Sequence, residues 1–288
     1  MLRTNLSDRW WVWLIPIGIV LGLFYLYPII NVVRYSFTNI RIGRESFSYT
    51  LSTYARVFAD ETLWGVLRIT LIFVLGSVLL QLSLGMLTAL LINRELPGSG
   101  LVKLSMVCAW VVPGIITGIM WQIVYSSSSW GIINFLLEGA GLEPIPFLHR
   151  SGWALAAATL ANVWRGTGFS GILQYAARRA IPPELYESGK MDGTNAFQSF
   201  RYITLPLLKP MLLINVVLIT IYTFNTYDSI YALTRGGPGG ATTVISLQAY
   251  RATFTYLHLG RGAVYAMIMV VLSVIFTMLY IRVMGSKE

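Results

Sequence analysis

Residues 181–210 read IPPELYESGKMDGTNAFQSFRYITLPLLKP and form a long charged stretch between two apolar runs of membrane-spanning length. Pro182 and Pro183 end the helix that precedes this stretch, because proline lacks the backbone N–H and clashes with the previous turn. Glu184 then begins a predicted short helix, with Pro183 near its first turn and acidic side chains near its positive end. Gly193 is predicted to end this helix.

A second short amphipathic helix is predicted over residues 196–203, after which Leu205-Pro206 is predicted to turn the chain back into the membrane. Two short helices at right angles to the spans would form a knob at the membrane surface. From the residues alone, an ordinary amphipathic loop that lies on the lipid is as strongly favoured as this knob.

The composition indicates an integral membrane protein. Of 288 residues, 56% are hydrophobic and 11% are charged, and the mean hydropathy is +0.66, whereas soluble domains carry roughly 25% charged residues. Spans of about 20 residues leave room for six helices with short loops and no sizeable soluble domain. We therefore predict one all-α transmembrane domain over residues 1–288. Its six spans cover about 10–33, 63–92, 103–125, 153–177, 211–233 and 262–283.

The basic residues set the predicted orientation. They are denser on the side that carries residues 181–210 and both termini, which the positive-inside rule assigns to the cytoplasm. Arg3 and Arg9 precede the first span as in a signal peptide, but the apolar run is too long for one. We predict an uncleaved, multi-pass protein of a prokaryotic plasma (inner) membrane with cytoplasmic N- and C-termini. Because the net charge of +9 is dispersed over both faces, no nucleic-acid partner is predicted.

The sequence contains no catalytic constellation and no metal-ligand spacing. Cys108 is the single cysteine, and His149 and His258 lie far apart in the sequence. The GxxxxGK[ST] phosphate loop is missing, and no paired carboxylates occur in the spans, which disfavours a proton relay. We predict no catalytic residues, no metal and no cofactor bound by this chain.

Arg165 lies near the middle of the fourth predicted span, next to Trp164, and shares a helix face with Asn162 and Phe169. A charge at the bilayer centre costs about 2.5–3.5 kcal/mol even on the lenient insertion scale, so we expect it to face protein or water. Two interpretations stay open. Arg165 either lines or gates a pathway, or it is a buried partner for helix-end carbonyls or for an acid on another span.

A polar stripe follows one face of the fifth predicted span. It consists of Tyr222, Asn225, Thr226 and Ser229, with Asp228 beside it. Aromatic rings next to amides and carboxylates suit sugars, whose C–H faces pack on rings while the hydroxyls form hydrogen bonds. The alternative is a set of interhelical hydrogen bonds that hold the bundle together. We favour the pathway, because polar residues inside membranes mark pathways. For Asp228, which is nearest the outer surface, the alternative is that water solvates its side chain.

Residues 181–210 resemble the cytoplasmic EAA loop of ABC importer membrane subunits, which reads E-A-A, three residues, G, nine residues, I-x-L-P. We call them the docking loop. Ser188 and Gly189 replace the two alanines, and the spacing fits throughout. The resemblance implies that this loop docks into a cleft on an ATPase subunit. The residues it assigns to coupling are Glu187, Ser188, Gly189, Asp192, Gly193, Ile203, Leu205 and Pro206.

Residues 224–238, FNTYDSIYALTRGGP, are similar to the end of span five and the GGP loop of carbohydrate importers of the maltose and glycerol-3-phosphate type. The extra N-terminal spans and the large external domain of the maltose protein are missing. The resemblance places Asn225 in the region that lines the sugar site. The predicted substrate pathway comprises Trp164, Arg165, Tyr222, Asn225, Thr226 and Asp228.

The family resemblance also implies partners. They are a second homologous permease, two ATPase subunits that carry ATP and Mg, an extracytoplasmic solute-binding protein, the lipid bilayer and a sugar substrate moved by alternating access. The alternatives are the same importer class for glycerol phosphate or another non-sugar solute, a secondary carrier or channel, and an intramembrane enzyme. The docking-loop spacing argues against a carrier, and an enzyme would need a catalytic pair on facing spans.

Overall fold

The computed structural model describes residues 13–44, 46–94, 97–128 and 130–285. Within these ranges the secondary structure is helical, apart from one isolated antiparallel bridge between Thr38 and Tyr49. The α-helices are α1 (Ile15–Leu21), α2 (Tyr27–Ser36), α3 (Ser52–Phe58), α4 (Glu61–Ile92), α5 (Ser99–Val111), α6 (Gly114–Val124), α7 (Ile132–Gly139), α8 (Ser151–Arg179), α9 (Glu184–Met191), α10 (Ala196–Ser199), α11 (Leu205–Asn225), α12 (Asp228–Thr234), α13 (Ile245–Tyr250) and α14 (Leu259–Met284). π-Helical segments span Gly22–Leu26, Phe200–Thr204 and Arg251–Thr255.

Four helical runs in the described part of the chain are long and apolar enough to cross a membrane. They are Ile15–Ser36, Glu61–Ile92, Ala196–Asn225 and Leu259–Met284, and the bent pair of α5 and α6 forms a fifth if it counts as one span. α8 has 29 residues and contains the predicted range 153–177, but polar side chains such as Arg165 lower its hydropathy. The prediction of an all-helical membrane protein is confirmed at this level.

The predicted span 103–125 is formed by two helices rather than one. α5 ends at Val111, α6 begins at Gly114, and the two helices are bent by 109°. Val112 and Pro113 are extended, with ψ of 126° and 144°. Because proline has no N–H to continue the ladder and pushes the preceding residue out of the helical region, the chain breaks at this point.

The predicted turn at Leu205-Pro206 is also wrong, because helix continues through it. α10, the π-helical segment and α11 form one run, Ala196–Asn225. In the π-helical turn, the Leu205 N–H donates to the Phe200 carbonyl. A π turn is wider than an α turn. This width makes room for the Pro206 ring, which in a regular α-helix would clash with the carbonyl four residues earlier.

The predicted span 211–233 consists of two helices, since α11 ends at Asn225 and α12 begins at Asp228. Thr226 is extended, with ψ of 109°. Its N–H bonds to the Thr223 carbonyl, and its Oγ1 donates to the Tyr222 carbonyl at 2.9 Å. The Thr226 hydroxyl therefore replaces the Thr226 N–H as the donor to the Tyr222 carbonyl, which stabilises the break.

The chain forms two compact units. The larger unit comprises Thr62–Gln248 and the residues from Met269 onward. In it, α8 packs against α5 and α11, and α12 packs against α6. Glycine permits the close approach of α8 to α5, because a Cβ at Gly168 would overlap the carbonyl oxygen of Met106.

A fully buried polar cluster joins α4, α8 and α11 in the larger unit. Asn215 Nδ2 donates to Ser170 Oγ at 2.8 Å, and Gln174 Nε2 donates to Ser170 Oγ at 2.9 Å and to the Leu82 carbonyl at 3.2 Å. Gly85 leaves room for the cluster, since a Cβ there would lie 2.5 Å from Ser170 Oγ. Buried amides need such partners, so this cluster fixes the register of the three helices.

The smaller unit comprises the residues up to Glu61 together with Ala249–Ile268. Backbone hydrogen bonds tie the segment after α2 to the start of α14. Ile42 N–H donates to the Leu257 carbonyl at 2.9 Å, and Gly260 N–H donates to the Ile40 carbonyl at 3.1 Å. The chain between α2 and α3 is therefore ordered by contacts with a segment more than 200 residues away in sequence.

Candidate functional site

A cavity of 340 Å³ opens beside the middle of α8 in the larger unit. We call it the α8 cavity. Five of the six residues predicted for the substrate pathway line it, namely Arg165, Tyr222, Asn225, Thr226 and Asp228. Trp164 is not among the lining residues. Its ring is 36% exposed and contacts Trp121 edge-to-face, with the ring centroids 6.0 Å apart.

Several lining residues were not predicted as site residues. α4 contributes Gln81, α5 contributes Trp110, and α11 contributes Ile219 and Thr223. An amide inside the apolar run of α4 is a signal that sequence reasoning could have used, because such groups are costly in lipid. Trp110 carried no comparable signal, since its position depends on the bend between α5 and α6.

Three aromatic rings form one wall of the α8 cavity. The Trp110 and Phe169 ring centroids are 5.3 Å apart, and those of Phe169 and Tyr222 are 5.9 Å apart in an edge-to-face arrangement. Tyr222 is 61% exposed, so its ring is accessible. A wall of this kind offers faces on which the C–H groups of a sugar ring can pack.

Polar groups complete the lining of the cavity. Asn162 Nδ2 donates to Ser77 Oγ at 3.0 Å, and Asn225 Nδ2 donates to the Ile221 carbonyl at 2.8 Å. Arg165 stands at the middle of α8, and its Nε is buried without a hydrogen-bond partner among the described residues. The cavity therefore combines an aromatic wall with amides and a guanidinium.

Asp228 has a structural role that the sequence did not reveal. Its Oδ1 accepts the Ser229 N–H at 2.9 Å. Its carboxylate also lies against Gly114, the first residue of α6, where any Cβ would overlap it. A carboxylate at a helix N-terminus interacts favourably with the helix dipole. Asp228 thus links the start of α12 to the start of α6 at the edge of the cavity.

The docking loop has a defined conformation. α9 begins at Glu184, and Gly193 follows it with φ of +78°, a value that favours glycine. Asn195 then forms a capping box with Gln198, in which each side chain accepts from the backbone N–H of the other residue. The docking loop therefore consists of α9, a tight turn at Gly193 and the start of α10.

Packing anchors the docking loop to the larger unit. Ile181, Leu208 and Leu212 form a buried cluster against which Tyr186 packs. The Tyr186 hydroxyl hydrogen-bonds to Thr204 Oγ1 at 2.9 Å, and the Arg178 guanidinium lies 3.9 Å from the centroid of its ring. These contacts connect α9 to the end of α8 and to the start of α11.

The outer face of the docking loop exposes large apolar side chains. Met191 is 89% exposed, Phe197 69% and Tyr202 68%. The predicted coupling residues Glu187, Ser188, Asp192, Gly193, Leu205 and Pro206 are exposed, Gly189 is buried, and Ile203 is half-buried. Beside them lies a depression of 610 Å³ lined by Arg178, Arg179, Lys190 and Glu187, among others. Exposed apolar groups rimmed by charges are typical of a protein interface.

A buried histidine surrounded by arginines occupies the smaller unit. His258 is 8% exposed, and its Nε2 accepts a hydrogen bond from Arg41 Nε at 3.0 Å. Burial, and then the positive charges of Arg41, Arg261, Arg56 and Arg44, lower the pKa of His258 from 6.5 to about 4. The ring is therefore neutral at physiological pH.

This lowered pKa predicts a loss of stability in acid. The unfolded chain takes up a proton at His258 below pH 6.5, whereas the folded protein does so only near pH 4. The free energy of unfolding is therefore highest above pH 6.5 and falls as the pH falls from 6.5 towards 4. We expect the melting temperature of the purified protein to fall over this range, and to fall less in His258→Gln. Thermal unfolding at a series of pH values measures this. Parallel pH profiles for the two proteins would contradict it.

Comparisons with known proteins agree with this description. Residues 81–283 match the family described as binding-protein-dependent transport system inner membrane component. The chain is 35% identical to the trehalose/maltose transport system permease protein MalF of Thermococcus litoralis, over 94% of this chain and 91% of that protein. It is 32% identical to the sulfoquinovosyl glycerol transport system permease protein SmoG of Agrobacterium fabrum, over 96% and 90% of the two chains.

The fold resembles that of a solved transporter. A chain in the crystal structure of a bacterial ABC transporter involved in the import of the acidic polysaccharide alginate superimposes with a TM-score of 0.82, at 22% identity and over 96% of each chain. The family match and the two relatives confirm the resemblance to ABC importer membrane subunits. The chain belongs to the family of inner membrane components of binding-protein-dependent transport systems.

Proposed function

We propose that this chain is one of two permease subunits of an ATP-driven importer and that the α8 cavity is its half of the pathway for a sugar. The wall of Trp110, Phe169 and Tyr222 beside polar groups carries this proposal, because it matches the mixed apolar and hydroxyl character of a sugar. Relatives named for the transport of trehalose/maltose and of sulfoquinovosyl glycerol support it.

The proposed membrane arrangement has six spans. They are α1 with α2, α4, the bent pair of α5 and α6, α8, the run from α10 to α11, and α14. The docking loop and both termini face the cytoplasm in this arrangement. Residues 10–12 of the first span, Arg3 and Arg9 before it, and the C-terminal residues 286–288 lie outside the described part of the chain.

The family consists of non-catalytic membrane subunits, and the ATPase is a separate chain. We assign ATP and Mg to two such ATPase subunits and no cofactor to this chain. The exposed apolar side chains of the docking loop, Met191, Phe197 and Tyr202, form the surface that an ATPase would cover. A second permease and an extracytoplasmic solute-binding protein complete the proposed assembly.

The proposed mechanism is alternating access. Closure of the ATPases on ATP moves the docking loops together, and the contacts of Tyr186 with Arg178 and Thr204 carry this movement to α8 and α11. The spans then open the cavity outward, and the binding protein releases its sugar there. Hydrolysis returns the cavity to the inward-open state.

The test uses the assembled transporter in proteoliposomes with its solute-binding protein and a panel of radiolabelled sugars. We expect one sugar to stimulate ATP hydrolysis, and we expect Asn225→Ala to reduce its uptake about tenfold through the loss of a hydrogen bond to the solute. Ser105→Ala, an exposed polar position on α5 outside the cavity, should transport like the wild type. If only amines or amino acids stimulate hydrolysis, the sugar assignment fails.

A further inference from the structure

Four arginines lie around one buried histidine in the smaller unit. We call Arg41, Arg44, Arg56 and Arg261 the arginine cluster. Arg41 Nε donates to His258 Nε2 at 3.0 Å, and the positive charges of all four arginines act on the His258 ring. Because this ring is buried and neutral at physiological pH, it does not add to the charge. The cluster is a concentration of guanidiniums in one region of the fold.

Hydrogen bonds assemble the arginine cluster from three separate segments of the chain. The Ile42 N–H, between two members of the cluster, donates to the Leu257 carbonyl at 2.9 Å. Thr53 lies in α3, which also carries Arg56, and its Oγ1 donates to the Thr38 carbonyl at 2.8 Å. The loop after α2, helix α3 and the start of α14 thus bring their arginines to the same region.

The positive charge of the arginine cluster is not balanced within the described part of the smaller unit. Three of its members are exposed and Arg261 is half-buried. None of the four forms an ion pair with a described residue. This part of the chain contains six arginines and two acidic residues, Asp60 and Glu61. Adding Glu45, which lies outside the described residues, still leaves an excess of positive charge, so the exposed guanidiniums can bind an anion from outside the chain.

The arginine cluster lies at the ends of three of the proposed spans. Two members follow the end of α2, Arg56 precedes the start of α4, and Arg261 lies in the first turn of α14. In the proposed membrane arrangement these ends face away from the cytoplasm, where the positive-inside rule disfavours basic residues. At the end of a span, a guanidinium meets the layer of lipid headgroups, in which anionic lipids attract basic side chains.

Exposed aromatic side chains accompany the arginine cluster. Phe47, Tyr49, Phe254 and Tyr256 are exposed in the same unit, and the Arg34 guanidinium lies 5.7 Å from the centroid of the Tyr49 ring. Aromatic residues with a polar edge are enriched where a membrane meets water, because their apolar bodies pack on lipid while the edge stays hydrated. Rings and guanidiniums together favour lipid over the acidic surface of a soluble protein.

We propose that the arginine cluster binds the phosphate of an anionic phospholipid in the outer leaflet of the membrane. A guanidinium can donate two parallel hydrogen bonds to one phosphate. A concentration of guanidiniums favours a headgroup with net negative charge over a zwitterionic one. The bound lipid neutralises arginines that have no acidic partner among the described residues, and it joins the segments next to α2, α4 and α14. This inference goes beyond the proposed transport function and shares only its membrane arrangement.

The test titrates the assembled transporter in a neutral detergent with dioctanoyl phosphatidylglycerol and follows its thermal unfolding. Parallel titrations use dioctanoyl phosphatidylcholine, which has no net charge, and inorganic phosphate. A ligand that binds only the folded state raises the melting temperature as its concentration exceeds the Kd. We expect phosphatidylglycerol to produce a given rise in melting temperature at a concentration at least tenfold lower than either control.

Variants localise the effect to the arginine cluster. Arg44→Gln combined with Arg56→Gln removes two exposed charges and leaves the bond between Arg41 and His258 in place. We expect the concentration of phosphatidylglycerol needed for the same rise to increase about 30-fold, which is about fivefold for each charge removed. Arg150→Gln is the matched control, because it removes an exposed arginine before the start of α8, outside the smaller unit, and it should titrate like the wild type.

Three results would overturn the inference. The first is equal stabilisation by phosphatidylcholine or by inorganic phosphate, since neither carries the charge and the chains of an anionic lipid together. The second is a double variant that titrates like the wild type. The third is a double variant that loses affinity for the solute-binding protein in phosphatidylcholine nanodiscs while its lipid titration is unchanged, which would make an acidic protein surface the partner. Because no transport is measured, failure of the proposed sugar pathway would leave these outcomes unaffected.

Discussion

Replacing Gly118 by leucine should separate α6 from α12 and destabilise the protein severely. A Cβ at Gly118 would overlap the Ser229 carbonyl oxygen and lie 2.6 Å from the Ala232 Cβ and 3.1 Å from the Leu233 backbone nitrogen. Two of these atoms are backbone, so they cannot move aside as a flexible side chain can. Overpacking costs typically 1–3 kcal/mol, and here we expect about 3 kcal/mol or more, because two helix backbones must part.

The measurement is thermal unfolding of the purified protein in detergent. The expected loss corresponds to a drop in the melting temperature of about 6–12 °C. Gly100→Leu on α5 is the matched control, because nothing lies within 4 Å of a Cβ at that position. Equal melting temperatures for the two variants would mean that α6 and α12 do not pack as closely as described.

Replacing Gly189 by leucine should uncouple the ATPases from transport. Gly189 is buried in α9, and a Cβ there would lie 2.9 Å from Ile203 Cδ1 and 3.1 Å from Thr194 Oγ1. Both are side-chain atoms that can shift for a Cβ alone, so the expected effect comes from the remaining carbons of leucine, which would push α9 away from the π-helical segment that leads into α11. Since Gly189 lies within the docking loop, we expect uptake and binding-protein-stimulated ATP hydrolysis to fall at least tenfold, consistent with the cost of overpacking a tight contact.

Gly193 provides the control for this prediction in the same loop. Its φ of +78° favours glycine or asparagine, and nothing lies within 4 Å of a Cβ there. Gly193→Asn should therefore transport nearly as well as the wild type, whereas Gly193→Val should be impaired by backbone strain. Normal transport by Gly189→Leu would show that close packing of α9 is not needed for coupling.

The sequence predicts local features of this protein well. Pro183 and Gly193 mark the start and end of α9 because one lacks an N–H and the other tolerates a positive φ. Composition indicates the helical membrane class without any knowledge of contacts. Five cavity residues were found because Arg165 and the polar stripe of the fifth predicted span are costly in lipid and must therefore face protein, water or solute.

Features that depend on tertiary contacts were not predictable. Pro113 breaks its span, while Pro206 is accommodated by a π-helical turn inside a continuous helix. Both are prolines in apolar surroundings, and the difference depends on neighbours such as Asp228, which packs against Gly114. The same bend brings Trp110 to the cavity. A single sequence cannot supply these contacts, so it cannot distinguish the two outcomes.

The helical run Ala196–Asn225 extends from the docking loop to the cavity without a break. Its resistance to bending differs between its two ends. Pro206, Pro210 and the π-helical turn weaken the backbone ladder near one end, whereas the stretch from Met211 to Asn225 is free of such interruptions. Asn225 lies about 22 Å beyond Pro210 along the axis. A bend of about 10° at Pro210 would thus move Asn225 sideways by about 4 Å, so a small bend inside the docking loop would change the position of a cavity residue.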